Sequence, residues 1–196
     1  MNYIAYFCQK ILAMKLRILL VFLLIFMVYS CQKDTTDQQF LIAKDRIGNL
    51  TKGAKINQLD SIFAGDSVVN KNNTKEFSNG NEIIIYQKGG RELLRLYPAK
   101  SFDSTSTISE VEVIDTIYKT AEGLGRGSNF EVIKENYNIS RIENTLGTAM
   151  VFIDELNIHL DIDKKEISEP KGMGVKLKSS QIKNKAKVKY LWLDWN

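Results

Sequence analysis

Two stretches of the chain carry the same pattern of apolar positions, 74 residues apart. Ile56, Leu59 and Phe63 recur at spacings of three and four in residues 53–63, and Phe130, Ile133 and Tyr137 do so in residues 127–137. That spacing sets three apolar side chains on one face of a helix, and each stretch opens after a glycine and a small or polar residue, as a helix N-terminus does. Extended patterns follow each helix. Residues 82–87 and 92–97 flank Lys88-Gly89-Gly90, a hairpin signature, and residues 149–153 and 156–162 flank Asp154-Glu155. A last strand closes each half, over 108–118 and 188–195. An offset of 80 matches Ile108 with Val188, Val111 with Leu191 and Val113 with Leu193, and the extra residues fall in 170–187, which reads as loop. Each half is thus helix, hairpin, strand. The expected fold class is α+β: a tandem duplicated unit, 45–118 and 119–196, with helices packed on antiparallel sheet. One such unit of about 75 residues would have a small core, so two packed together or one continuous sheet would bury more.

Before the first repeat the pattern changes. Lys15 and Arg17 form a short basic start, an apolar run covers 18–29, and Ser30 precedes Cys31. The run is too short for a membrane span and ends in a small residue, which predicts a signal peptide over 1–30. Met1 and Met14 both remain available as the start. The cysteine after a small residue resembles the lipobox of bacterial lipoproteins, although Tyr29 departs from its usual middle position. The resemblance implies that Cys31 is lipidated and that 31–44 is the lipidated cysteine and its tether, polar from Gln32 to Asp37 as in lipoproteins of the Bacteroidota. The plainer alternative is an uncleaved anchor helix.

Processing changes the charge. The chain has 27 basic and 23 acidic residues, and the segment 1–30 holds Lys10, Lys15 and Arg17 and no acid, leaving 24 basic against 23 acidic. A nearly neutral protein gives no global reason to expect nucleic-acid binding. Cys8 lies in the same segment, so Cys31 is the one cysteine after it and no internal disulfide is expected.

Arg46-Ile47-Gly48-Asn49-Leu50-Thr51 opens the first copy and Gly123-Leu124-Gly125-Arg126-Gly127-Ser128 the second. With a short helix ending in an aromatic and strands after it, this resembles a family of uncharacterised bacterial lipoproteins. More distantly, it is similar to the repeats of β-lactamase-inhibitor proteins and of small outer-membrane assembly lipoproteins. The resemblance implies a cell-envelope location, at the outer membrane, and work done by binding other proteins. It carries no catalytic residues to this chain.

The chemistry-bearing residues give weaker signals. The Gly123–Ser128 run has GxGxG spacing without a Walker lysine and reads as a loop rather than a nucleotide cradle. His159, the single histidine, alternates with Asp161 and Asp163 on one strand face; a metal site would need further ligands from a neighbouring strand, so none is expected. Glu131 and Glu135 are the paired carboxylates a glycosidase would use, but on a short helix they read as surface charge. Tyr190 and Trp192 share one face of the last strand and Leu191, Leu193 and Trp195 the other, a pattern of a central buried strand. Seven lysines and no acid occupy 171–189, and Lys183, Lys185 and Lys187 are the candidate contact to an anionic lipid or an acidic partner. The expected function is non-catalytic binding in the cell envelope through a membrane anchor, without cofactor; a glycan hydrolase using carboxylates and a purely structural lipoprotein are the alternatives.

Two acyl chains tether a protein stably where one does not. Wild-type protein is therefore expected to incorporate labelled palmitate and to lose residues 1–30, and Cys31→Ser to abolish both. Label-free wild-type protein of full length in the membrane fraction would assign the anchor-helix alternative.

Overall fold

A computed structural model describes residues 37–72, 81–168 and 172–196. The expected signal segment, Cys31 and Lys171 lie outside them. Residues from 36 onward group as one unit. The fold is mixed α/β, built mainly of antiparallel sheet.

The first described residues already belong to the fold. Asp37 caps a 3-10 turn over Gln38–Phe40, accepting from the Gln39 N–H at 3.2 Å. Three two-residue strands follow, β1 (Ile42–Ala43), β2 (Arg46–Ile47) and β3 (Leu50–Thr51), paired in that order. Ile42, Ile47 and Leu50 are buried. Residues 38–44, expected within the tether, are thus part of the folded unit, because the apolar Ile42 has a core to enter. Gly48 turns β2 into β3 at φ 54°, and a side chain there would meet the Gln39 carbonyl.

Eight strands form the main sheet. In chain order they are β4 (Ser67–Asn72), β5 (Asn81–Tyr86), β6 (Glu92–Pro98), β7 (Ile108–Val113), β8 (Arg141–Asn144), β9 (Thr148–Ile153), β10 (Ile158–Asp163) and β11 (Val188–Asp194). Their spatial order is β4-β5-β6-β7-β11-β10-β9-β8, antiparallel throughout. The first hairpin turns on Gly89 and Gly90, both at positive φ, and the second on Asn157, a residue type that tolerates its φ of 53°. Three bulges interrupt the ladders: β5–β6 skips Leu93, β6–β7 skips Ser109 and β10–β11 skips Lys189.

Period-2 alternation gives the sheet two unlike faces. Ile83, Ile85, Leu94, Leu96, Val111 and Val113 in one half, and Val151, Ile153, Ile158, Leu160, Leu191 and Leu193 in the other, are at most 2 % exposed and belong to one apolar cluster. The other face is mostly half-exposed, and Ile84 is buried outside that cluster.

The helices depart from expectation. They are few and short: α1 (Leu59–Ile62), preceded by a 3-10 turn over Ile56–Gln58, and α2 (Phe130–Asn136). They do not make the helical layer packed on sheet that the sequence suggests, since four and seven residues are too few to cover eight strands. Leu59, Phe130 and Ile133 do join the core cluster, with Phe63, Tyr118 and Leu124 from connecting segments. The strand expected over 108–118 ends at Val113; β4, β8 and the three-stranded sheet are additional to the expected elements.

Phe130 is fully buried. Phe130→Ala is expected to cost about 3–5 kcal/mol, read as a lowered urea midpoint, through lost transfer energy and the cavity left behind. Leu146→Ala, at a side chain 80 % exposed, should shift the midpoint little.

Candidate functional site

The half-exposed sheet face carries a row of cross-strand neighbours. In register they are Arg95 on β6, Glu112 on β7, Trp192 on β11, His159 on β10, Phe152 on β9 and Arg141 on β8. Directly opposed side chains on one face lie close enough to interact, and here they stack. The His159 and Trp192 rings are 6.0 Å apart and within 9° of parallel. Phe152 lies 5.6 Å from His159 on one side, and Tyr97 lies 5.7 Å from Trp192 on the other. The Arg141 guanidinium covers the Phe152 ring at 3.4 Å, and Glu143 holds it at 2.9 Å. His159 is oriented by its Nδ1, 2.8 Å from Asp194 Oδ2.

At the other end of the row Arg95 sits among three carboxylates. Its Nε lies 2.5 Å from Glu92 and 3.2 Å from Glu82, and its Nη1 3.5 Å from Glu112. Burial pushes the Glu112 carboxyl above its ordinary value, against the opposing pull of Arg95 and Arg126. Burial likewise pushes the Tyr97 hydroxyl up to about 12, with Glu82 and Glu112 acting in the same direction. The face thus offers an aromatic strip with carboxylates at one end and a stacked guanidinium at the other. That combination suits contact with another protein: flat rings supply area at little entropic cost, and charges set orientation.

The residues singled out by sequence fall into place separately. His159, Asp161 and Asp163 do not converge. His159 bonds Asp194, Asp161 accepts from Thr148 Oγ1 at 2.6 Å, and Asp163 caps the 3-10 turn Lys164–Glu166 through the Lys165 N–H at 3.1 Å. Among the described residues no three His, Cys, Asp or Glu side chains group around a possible metal position. Glu131 and Glu135 are exposed on α2. In the glycine-rich run, Gly123 and Gly127 take positive φ, and a side chain at Gly125 would collide with the Tyr118 carbonyl, so the glycines serve a tight turn. β11 is central as expected, and Leu191, Leu193 and Trp195 are buried. Tyr190 and Trp192, expected in the core, instead lie half-exposed on the open face, since the core occupies one side of the sheet only.

Lys185 and Lys187 do come together. With Lys165 and Lys189 they line a shallow depression that also holds Asp163 and Glu166. Lys183 lies beside it, with its Nζ 3.3 Å from Glu166 Oε2. Lys189 reaches Asp163 at 3.9 Å. The local excess of positive charge is therefore smaller than the lysine count alone suggests.

No family model matches the chain, and no curated protein matches it. Among solved structures, the chain is similar to the uncharacterized protein yfeY from Escherichia coli, at 15% identity and a TM-score of 0.49, over 79% of this chain and 99% of that one.

The Glu112 carboxyl has a defined sign. Its raised value in the fold means that ionisation disfavours the native state, so the penalty is absent below the ordinary pKa of 4.5 and grows as pH rises through the folded value. Glu112→Gln is expected to be more stable than wild type at pH 7, with the difference shrinking toward pH 4. Urea titrations of both proteins across that range measure it.

Proposed function

We propose that the protein is a lipid-anchored, non-catalytic component of the cell envelope that binds another envelope protein through the open face of its eight-stranded sheet. The observation that carries the reading is the stacked row from Tyr97 through Trp192, His159 and Phe152 to Arg141. Half-exposed rings held by their neighbours are pre-organised, so docking a partner on them orders few side chains. The signal-like segment 14–31 and the lipoprotein resemblance support the anchor. Among the described residues no helix is long and apolar enough to cross a membrane.

The reading of the fold that accompanies this function is an internal duplication. Several features recur at the offsets of 74 and 80. Lys55 bridges Thr107, and Asn129 bridges Lys187. The Ile56 N–H donates to the Ser106 carbonyl at 3.0 Å, and the Phe130 N–H to the Ala186 carbonyl at 2.8 Å. Two of the skipped bulge residues, Ser109 and Lys189, are also 80 apart. Glu112 pairs with Trp192, its own counterpart at that offset, as it would across a local two-fold axis. Such a duplication turns one modest binding surface into a continuous one twice as wide.

A second reading is favoured by the convergence of Lys165, Lys185, Lys187 and Lys189. The depression they line would meet anionic headgroups or an acidic partner. Crosslinking pull-down from intact envelopes separates the two. Trp192→Ala is expected to lose the captured partner at least tenfold, while joint replacement of Lys183, Lys185 and Lys187 by Gln leaves it in place. The reverse result would move the binding site to the lysine depression.

A further inference from the structure

A cavity of about 280 Å³ lies between the N-terminal turn, the end of α1 and the β5–β6 turn, apart from the open sheet face. Phe40, Phe63, Leu93 and Tyr118 line one part of it, and Gln39, Asn49, Asp66 and Gln87 line much of the rest. Phe40 meets the Tyr118 ring edge-to-face, with centroids 5.5 Å apart. Two acceptors stand beside these aromatic rings. Tyr118 is only 2 % exposed, and its hydroxyl has no hydrogen-bond partner among the described residues. Asp66 is half-buried, and its carboxylate likewise has no ion-pair or side-chain hydrogen-bond partner among them. Asp115, the other carboxylate that acts on Tyr118, is compensated by Arg91 at 2.9 Å. Burial and both carboxylates push the Tyr118 hydroxyl above its ordinary value, so the phenol stays protonated and the negative potential rests on Asp66.

The Tyr118 hydroxyl faces the cavity, where a guest can hydrogen-bond to it. A carboxylate beside aromatic faces attracts organic cations, through charge and through the ring quadrupoles. A divalent metal ion needs several strong oxygen ligands, and among the described residues no three His, Cys, Asp or Glu side chains group around a possible metal position. We propose that this cavity binds a small alkylammonium ion, its head on Asp66 and Tyr118 and its hydrocarbon against Phe40, Phe63 and Leu93. The volume is at the low end for ligand pockets, which limits the guest to a short chain. The Gln87 carboxamide, also on the wall, offers a further oxygen to the ammonium hydrogens.

The test compares n-pentylammonium with 1-pentanol, which has nearly the same shape and no charge, by isothermal titration calorimetry on the full-length protein in detergent at pH 7. Wild type is expected to bind n-pentylammonium saturably and at least tenfold more tightly than 1-pentanol. Asp66→Asn should erase that preference, and Tyr118→Phe should weaken the ammonium while leaving the alcohol unchanged. Equal binding of both compounds by wild type, no ammonium binding up to about 10 mM, or undiminished preference in Asp66→Asn would each overturn the proposal. Should Asp66→Asn lose its near-ultraviolet circular dichroism, the wild-type comparison alone decides.

Discussion

The pairing of β7 with β11 holds the architecture together. Three residue pairs, Trp192 with Glu112, Leu193 with Val111 and Asp194 with Glu110, join two four-stranded meanders into one sheet. On the core side the contact is Leu193 against Val111, both fully buried, and on the open side it is Trp192 against Glu112. Four strands alone would expose the apolar flank of β7 or β11 and bury too little to be stable. Joined, the Val, Leu and Ile side chains of the inner face become one cluster.

Because the core takes only one side, the other side is free to carry chemistry. Arg95 and Arg141 are about as exposed as each other, at 36% and 42%, yet they are held differently. Arg95 is enclosed by three carboxylates, whereas Arg141 lies flat on a ring. Ion pairs at this exposure add little to stability, so their arrangement is better understood as fixing where charge is presented. Glu112 departs from this pattern. It is nearly buried next to the seam, where its ionisation works against the fold.

The segments outside the main sheet close its ends. Ile42, Ile47 and Leu50 bring the three-stranded sheet into the core, and the Ile42 N–H donates to the Lys119 carbonyl at 2.8 Å. The Asn157 amide reaches Asp45 Oδ1 at 2.9 Å, tying the second hairpin turn to the first strands of the domain. The cavity around Tyr118 and Asp66 is formed in the same region, where short irregular pieces meet and cannot pack as regularly as strands do.

Local pattern alone determined the two hairpins, the strands that begin at Ile108 and Val188, and the second helix, because these follow from side-chain periodicity and from glycines at turns. It also determined that β11 would be central, since both of its faces read as apolar. The strands β1–β3, β4 and β8 were not legible: β1–β3 and β8 have only two to four residues, β4 reads Ser-Val-Val-Asn-Lys-Asn without alternation, and their pairing depends on neighbours elsewhere. The lysine cluster was visible as composition, but the carboxylates that offset it, Asp163 and Glu166, became neighbours only on folding. The stacked row was invisible for the same reason. Arg95, Glu112, Arg141, Phe152, His159 and Trp192 are scattered over almost 100 residues, and strand register alone decides that they lie side by side. Register is set by the whole core at once, and a slip of one residue in any strand would turn its members of the row inward.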